Sequence, residues 1–269
     1  MEQQIIPDVS VIIRTYRRPT LLTRALTSLV NQEYKKFEVI VVEDGPPISK
    51  EIIKKFNNLN IKYISTKTHI GRSAAGNKGL DVATGKYINF LDDDDILQPD
   101  HIQILSSELD AHPDICAVHS SSIERKVIYE SYQPLRVKTR SEKYSYSSPL
   151  NKQEIFYRNM FPIQAVMFRR NLFLNFGGFD EKLEYLEDWD LWIKYSLHGQ
   201  FLFIDRITSI YHIPGKKSEL RARKKIFKRY EVNILSKYTD YISINKIKSP
   251  SIFNKMLKKL REIVKANSL

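Results

Sequence analysis

Hydrophobic and polar positions follow two alternating patterns along the first 123 residues. Five short runs rich in β-branched and aromatic residues have the length of strands, and they occupy residues 9–16, 37–44, 61–66, 86–92 and 115–120. Between them, apolar residues recur at the spacing of a helix, in residues 20–32, 49–58, 71–85 and 99–112. Because the strand-length runs are apolar on both faces, they predict a sheet that helices cover on each side.

The residues between these segments support the same alternation. Pro19 and Pro99 stand where helices are expected to begin, and Gly85 follows the expected end of a helix. Strands that alternate with helices form right-handed crossovers, so the chain is predicted to be an α/β protein with a doubly wound, Rossmann-like and mostly parallel sheet. Ligands of such sheets bind beyond the carboxyl ends of the strands.

The second half of the chain is less regular. Residues 124–160 mix Tyr, Ser, Lys and Arg without a clear period, and we expect them to form loops and an irregular edge. Beyond them the pattern predicts strands at 162–170 and 201–213 and helices at 171–183 and 186–199. The prediction is one domain over residues 1–215, with halves at 1–123 and 124–215, and a basic helical extension over residues 216–269.

The extension carries the whole formal net charge of +12. Residues 216–269 contain 16 Lys and Arg against 4 Asp and Glu, and the rest of the chain holds 27 of each sign. This distribution argues against a nucleic-acid surface spread over the protein and favours a local anionic partner.

The cellular compartment is predicted from what the sequence lacks. Cys116 is the single cysteine, so an intramolecular disulfide is impossible, which suits a reducing cytosol. The amino-terminal residues do not resemble a signal peptide, and no run approaches the roughly 20 apolar residues that span a bilayer. A cytoplasmic location is expected.

Four consecutive carboxylates, Asp92 to Asp95, follow the apolar strand run at residues 86–92. Like charges this close repel one another unless they face water or share a cation. Mg²⁺ and Mn²⁺ prefer carboxylate oxygens and often bridge a protein to substrate phosphates. The alternative is a solvated acidic turn before the helix at Pro99. The position at a strand end, with Arg14-Thr15-Tyr16 and Glu43-Asp44-Gly45 closing other strands, favours the metal site.

Three segments carry a resemblance to a known family. They read VSVIIRTYRRPTLLTRALTSLVNQEYKKFEVIVVEDG at residues 9–45, HIGRSAAGNKGLDVATGKYINFLDDDD at 69–95 and EDWDLW at 187–192. In this order they resemble the inverting glycosyltransferases of family 2, which have the GT-A fold. The resemblance covers most of residues 8–215. It implies a nucleotide-diphosphate sugar donor, a Mn²⁺ or Mg²⁺ ion and an acceptor hydroxyl.

The resemblance also implies roles for individual residues. Asp94 would be the main metal ligand, supported by Asp92, while Asp93 would assist or contact the ribose. Asp44 would accept a hydrogen bond from the nucleobase. Further donor contacts would come from Tyr16 with its neighbours Arg14 and Thr15, and from Arg72. His212, at a strand end, either completes the metal shell or is structural.

The catalytic base is expected among the acids of EDWDLW. Glu187, Asp188 and Asp190 cannot all point in one direction from a helix, so only one or two can face a site. The resemblance favours Asp188, with Asp190 second and Glu187 third. The alternative is that these acids cap the helix and the tryptophans fill the core.

Two departures from the family pattern concern the nucleotide. Arg17 stands where the family often has Asn, and Glu43-Asp44-Gly45-Pro46 replaces a frequent Asp-Asp-Gly-Ser. The identity of the nucleotide is therefore open, with a UDP-type donor favoured.

The acceptor is expected to be a carbohydrate or a lipid-linked precursor. The basic extension either contacts an anionic membrane surface peripherally or packs its apolar face, which includes Ile263, on the protein core. Two rival functions are a sugar nucleotidyltransferase, for which RTYRRPT lacks the glycine-rich phosphate loop, and an inactive scaffold that binds nucleotide sugars.

Overall fold

The computed structural model describes residues 7–145 and 148–244, together with Lys258, Arg261 and Ile263. The strands are β1 (Val9–Thr15), β2 (Phe37–Glu43), β3 (Ile61–Ser65), β4 (Tyr87–Asp92), β5 (Ile96–Leu97), β6 (Ile115–Tyr132), β7 (Leu135–Ser145), β8 (Val166–Arg169) and β9 (Gln200–Pro214). The α-helices are α1 (Pro19–Val30), α2 (Lys50–Ile53), α3 (Arg72–Val82), α4 (His101–Ala111), α5 (Arg170–Phe176), α6 (Glu187–Ser196) and α7 (Lys217–Ile244).

The described strands form one sheet in the order β3-β2-β1-β4-β8-β6-β9-β5, and β7 pairs with β6. The first four strands are parallel, as predicted from their two-sided apolar runs. Beyond β4 the sheet is mixed, because β8 runs antiparallel to both β4 and β6. Alternate residues of β1 and β2 enter two separate apolar clusters, one on each face of the sheet.

The expectation of loops and an irregular edge over residues 124–160 is wrong for residues 124–145, whereas residues 148–160 contain no strand and only the short 3₁₀ helix Glu154–Phe156. β6 continues to Tyr132 and forms a long antiparallel hairpin with β7. Nearly all of β7 is exposed, so backbone pairing with β6 holds it rather than an apolar face. A charged, two-sided edge strand carries no period-two hydrophobic signal, and Lys and Arg are typical of such edges.

The helix predicted over residues 49–58 is also shorter than expected. α2 ends at Ile53, after a single turn. The following residues include Asn57, Asn58 and Asn60, whose side chains favour turns over helix interiors.

The basic extension begins as predicted, with the long helix α7. Its residues Ile234, Leu235 and Tyr238 are buried in one of the two core clusters, and Ile263 joins them at 6% exposure. Lys258 and Arg261 are exposed. The rest of the predicted amphipathic segment after residue 244 lies outside the described residues. Among the described helices, none has the length and apolarity to cross a membrane.

A candidate active site at the ends of β1, β2 and β4

Strand register brings the polar strand ends together. Arg14 of β1 lies opposite Asp92 of β4, and Thr15 lies opposite Glu43 of β2. A cleft of about 370 Å³ opens at this edge. Its walls consist of Arg14, Thr15, Tyr16, Arg18, Asp44, His69, Arg72, Ala75, Asp92, Glu184 and Tyr185. Five of the predicted donor-binding residues and one predicted metal ligand therefore line one cavity.

Asp44 lies at one end of the cleft and organises the loop before α3. Its carboxylate accepts hydrogen bonds from the Ile70 and Gly71 main-chain N–H groups at 2.7 and 3.0 Å. The Nδ1 atom of His69 lies 2.7 Å from the same carboxylate. The His69 ring stacks on Tyr16 with 4.3 Å between ring centroids. Tyr16 keeps 38% of its surface exposed, so this end of the cleft offers an aromatic platform beside a buried acid.

Arg14 is the buried cation of the cleft. Its guanidinium lies over the adjacent rings of Phe90 and Phe179, 5.6 and 5.3 Å from their centroids. It pairs with Asp92 at 2.7 Å and with Glu187 at 2.8 Å. Burial opposes ionisation of Asp92, but the nearby arginines prevail and hold its pKa at about 2. Asp92 is therefore ionised at any physiological pH.

Arg72 adds a second cation to the cleft, beside the same Glu187 carboxylate as Arg14. It begins α3, directly after Gly71, whose φ of 93° is typical of glycine. Its guanidinium lies 3.7 Å from Glu187 and 5.9 Å from the centroid of the Tyr185 ring. Burial opposes its charge, but Glu187 and the other nearby acids raise the pKa of Arg72. Arg14 and Arg72 line the cleft with guanidinium groups, which are suited to phosphate, and Asp92 and Glu187 offset their two charges.

The four aspartates divide into two pairs. The Asp92 and Asp94 side chains are 18% and 23% exposed, whereas Asp93 and Asp95 are buried. Asp93 accepts a hydrogen bond from the Thr15 hydroxyl at 2.8 Å. Burial, together with Asp94 and Asp92, raises the pKa of Asp93 to about 7. Asp92, at the end of β4, and Asp94, in the following turn, are therefore the two acids that solvent reaches.

His212 lies beside the acidic run but is held by other groups. Its main-chain N–H donates to Asp95 at 2.9 Å, and its Nδ1 atom lies 3.2 Å from Nη2 of Arg24. Arg24 also donates to the main-chain carbonyl of Asp94. Burial lowers the pKa of His212 to about 3, so its ring is neutral, as a metal ligand must be.

The acidic run fits a divalent cation that is shared with a phosphate group. No cluster of three His, Cys, Asp or Glu side chains converges within the described part of the chain. Mg²⁺ needs fewer protein ligands, however, because one or two carboxylates and substrate phosphates commonly complete its shell. Asp92 and Asp94 are accessible, and the buried Oδ1 atom of Asp93 has no hydrogen-bond partner. Nη2 of Arg18 lies 2.7 Å from that oxygen, so the protein itself supplies a cation to the acidic run.

The three acids at the start of α6 point to three different places. Glu187 pairs with Arg14 in the cleft wall. Asp190 is buried and pairs with Lys237 of α7 at 2.8 Å, on a different side of the helix. Asp188 accepts hydrogen bonds from Asn159 at 3.0 Å and from the Trp189 main chain at 2.8 Å.

Asp188 is therefore left as the acid without an ion-pair partner among those three. Burial and the neighbouring Glu187 raise the pKa of Asp188 to about 7. Asp188 is not among the residues that line the cleft, but it directly follows Glu187, which pairs with the lining residue Arg14. A carboxylate with a pKa near neutrality is suited to proton transfer.

Sequence reasoning missed several residues of the site. His69, Glu184 and Tyr185 line the cleft, and Arg18 and Asn159 contact predicted site residues. Glu187 was placed last among three acids, yet it is the partner of Arg14. The Gly71 turn after β3 was the available signal for His69, because it returns that loop to the strand ends.

The sequence matches the family model described as glycosyl transferase family 2 over residues 10–175. An uncharacterized glycosyltransferase of Methanocaldococcus jannaschii is 30% identical over 228 residues, which cover 81% of this chain and 75% of the relative. WcaA of Escherichia coli, whose name refers to colanic acid biosynthesis, is 24% identical over 83% of this chain and 79% of its own length.

Solved structures agree with the fold. The mannosyltransferase PcManGT of Pyrobaculum calidifontis, in complex with GDP-Man and Mn²⁺, superposes with a TM-score of 0.68 at 19% identity. The TarS fragment 1–349 of Staphylococcus aureus, in complex with UDP-GlcNAc, gives 0.66 at 18%. Each match covers 96% of this chain and 70–71% of the other. The chain thus has the fold of these glycosyltransferases, and the family match shows that it belongs to glycosyltransferase family 2.

Proposed function

We propose that the protein is a metal-dependent, inverting glycosyltransferase that moves a sugar from a nucleotide-diphosphate sugar to an acceptor hydroxyl. The cleft supports this proposal most directly, because an aromatic platform, two arginines and the accessible Asp92 line it. The accessible Asp94 and Asp188, whose pKa is raised, lie next to Asp92 and to Glu187, the partner of Arg14. These are the groups that displacement of a diphosphate from an anomeric carbon requires.

The donor is proposed to lie along the cleft with its base near Tyr16 and Asp44. Arg14, Thr15 and Arg72 would contact the phosphates or sugar. Asp93 was expected to contact the ribose, but it is buried, so its proposed role is to hold Thr15 and Arg18 at the cleft. A UDP-type donor is favoured, in line with the UDP-GlcNAc bound to the TarS fragment. The GDP-Man bound to PcManGT makes a GDP sugar the natural comparison in any screen.

Asp92 and Asp94 are proposed to hold Mn²⁺ or Mg²⁺, with His212 as a further candidate ligand. When bound, the ion supplies positive charge for the leaving diphosphate. Arg14 and Arg72 add to that charge from the protein side. The Mn²⁺ in the PcManGT complex supports this assignment.

Asp188 is proposed as the base that takes the proton of the acceptor hydroxyl. Its carboxylate has no ion-pair partner among the described residues, burial and Glu187 raise its pKa, and Asn159 donates a hydrogen bond to it. Direct in-line attack, with no covalent intermediate on the protein, inverts the anomeric configuration. An α-linked donor would therefore give a β-linked product.

The acceptor is proposed to belong to a cell-surface polysaccharide or glycolipid pathway, consistent with the name of WcaA. The basic extension, if it contacts an anionic membrane at the cytoplasmic face, does so through its charges, because Ile263 is already buried in the core.

Nucleotide-sugar thermal screening with Mn²⁺ tests the function. UDP sugars and GDP sugars should be compared for stabilisation with and without the metal. Asp188→Asn should keep the stabilisation and lower donor turnover by about 10²–10⁴-fold. Asp94→Ala should instead remove the metal-dependent part of nucleotide affinity in calorimetry. Unchanged turnover in Asp188→Asn would rule out the assigned base.

A further inference from the structure

Arg18 occupies an unexpected position against the acidic run. Its guanidinium lies 2.7 Å from Oδ1 of Asp93 and 3.3 Å from Oδ2 of Asp94. Asp93 has no solvent exposure, while the Arg18 side chain is 37% exposed. A cation of the protein itself therefore lies where the accessible face of the acidic run would receive a metal ion.

This placement is unfavourable for the local structure. Arg18 is the residue that caps the amino end of α1, and its side chain makes no capping hydrogen bond. Ser, Thr, Asp and Asn are preferred there, and the positive end of the helix dipole repels a cation. A residue that breaks a local rule in a binding cleft is expected to have a functional reason.

The contact with Asp93 is also incomplete. Although Nη2 of Arg18 is close to Oδ1 of Asp93, that oxygen lacks a properly aligned hydrogen-bond donor. The attraction is therefore one of charge, without the directional bonds of a bidentate pair. Such a contact is easier to break than the paired and buried Arg14.

The backbone of Arg18 does not need to move for the contact to break. Its carbonyl accepts hydrogen bonds from the main-chain N–H groups of Leu21 and Leu22, both at 3.1 Å, and Pro19 follows it in α1. The main chain is thereby held while the long side chain lines the open cleft. Rotation of the side chain alone would take the guanidinium from the aspartates to a donor phosphate.

We propose that Arg18 is a displaceable counter-charge that excludes the divalent cation from the acidic run until the donor diphosphate arrives. This inference rests on the proposed function. In the empty cleft Arg18 neutralises Asp93 and Asp94, and a metal ion competes with it for Asp94. The diphosphate draws Arg18 away, so metal and donor bind together. By linkage, each raises the affinity of the other.

Calorimetric titration with Mn²⁺ tests this inference, in the absence and presence of UDP, with GDP as the parallel probe. Wild-type protein should bind Mn²⁺ weakly alone and more tightly with the nucleotide. Arg18→Gln should bind Mn²⁺ alone about tenfold more tightly than wild type, and the gain from the nucleotide should shrink by a similar factor. Arg18→Lys keeps a positive charge and should remain closer to wild type.

Lys86→Gln is the matched control for the loss of one positive charge. Lys86 is exposed and precedes the first residue of β4, whereas Asp92 is the last residue of that strand. Lys86 pairs there with Asp110. The affinity of the Lys86→Gln variant for Mn²⁺ should equal that of wild type. Circular dichroism of each variant confirms folding before titration.

Three outcomes separate the possibilities. Equal or weaker Mn²⁺ binding by Arg18→Gln in the absence of nucleotide overturns the inference while leaving the proposed function intact. If Arg18→Gln does not fold, the titration of wild-type protein tests the inference. A wild-type Mn²⁺ affinity that is the same with and without nucleotide also overturns the inference. Absence of any binding of UDP or GDP to wild type, with or without Mn²⁺, counts instead against the proposed function.

Discussion

Asp188 carries a raised pKa inside a folded protein, and that has a consequence for stability. Burial and Glu187 lift its pKa from an ordinary 3.8 to about 7, so the folded state favours the protonated form. Above pH 7 both the folded and unfolded states hold an ionised Asp188, and the folded state bears the full electrostatic penalty. Below about pH 4 both are protonated and the penalty is absent.

Asp188→Asn should therefore stabilise the protein at alkaline pH and leave it unchanged in acid. The melting temperature should rise by about 2–4 °C for each kcal/mol of penalty removed. Thermal unfolding of wild type and variant at pH 4 and pH 8 measures the difference. A variant equally stabilised at both pH values would show that the charge of Asp188 carries no penalty.

Asn159 is expected to tune the base rather than touch the substrate. Its amide donates to Asp188 at 3.0 Å and lowers the pKa that burial raises. Wild-type kcat should rise with pH through about 7, as the base loses its proton. Asn159→Ala should move that rise to higher pH, with nucleotide affinity unchanged.

Asn175→Ala, an exposed position on α5, is the control for the pH profile. The kcat of Asn175→Ala should depend on pH in the same way as that of wild type. A uniform loss of turnover across the pH range in Asn159→Ala would indicate a structural role and exclude tuning of the base.

Local sequence patterns located some site residues and missed others for a physical reason. Asp92–Asp94 and Asp188 belong to motifs of consecutive polar residues that interrupt apolar segments, so they are visible in the sequence. His69 and Asn159 are isolated polar residues in loops, and only the folded chain brings them to Tyr16 and Asp188. Their roles depend on contacts between distant segments, which no local pattern encodes.

The strands differ in how well the sequence predicts them. β1, β2 and β4 are buried along nearly their whole length, so their apolar runs stand out. The β6–β7 hairpin extends into solvent and draws its stability from backbone pairing, which is nearly independent of side-chain type. Because backbone pairing leaves no apolar pattern in the sequence, the charged residues of this hairpin were predicted to be loop.

α7 contacts α6 through an ion pair in which the lysine is partly exposed and the aspartate is buried. Lys237 lies 2.8 Å from the buried Asp190, and the Tyr238 hydroxyl donates to the Asp190 carbonyl. Lys237→Met should leave a buried charge without this partner and lower the free energy of unfolding by about 1–3 kcal/mol, less than the 3–5 kcal/mol of a fully buried pair. Denaturant unfolding measures the change.

Lys224→Met, an exposed lysine on the same helix, is the control and should change stability by less than about 0.5 kcal/mol. If both variants unfold at the wild-type denaturant concentration, α7 does not stabilise α6 through Asp190.

The distribution of charge over the chain separates a neutral catalytic portion from a basic extension. Lys224, Lys225 and Lys228 are exposed on α7, while Ile263 anchors the extension to the core. Anionic vesicles of phosphatidylglycerol should therefore bind the protein electrostatically. Replacing these three lysines with Gln should weaken the free energy of vesicle binding by about 3 kcal/mol, or about a hundredfold in affinity, at low salt.

Raising the salt concentration should release wild-type protein from the same vesicles, because exposed charges are screened. Vesicles of phosphatidylcholine alone serve as the neutral control. Equal co-sedimentation of wild type and the triple variant with anionic vesicles would remove the membrane proposal and leave the extension a structural role.

Arg14 links β4 to α6, because its guanidinium contacts Asp92 of β4 at 2.7 Å and Glu187 of α6 at 2.8 Å. A change in the spacing between Asp92 and α6 would break one of these two contacts. We therefore expect this spacing to stay the same when a donor enters the cleft.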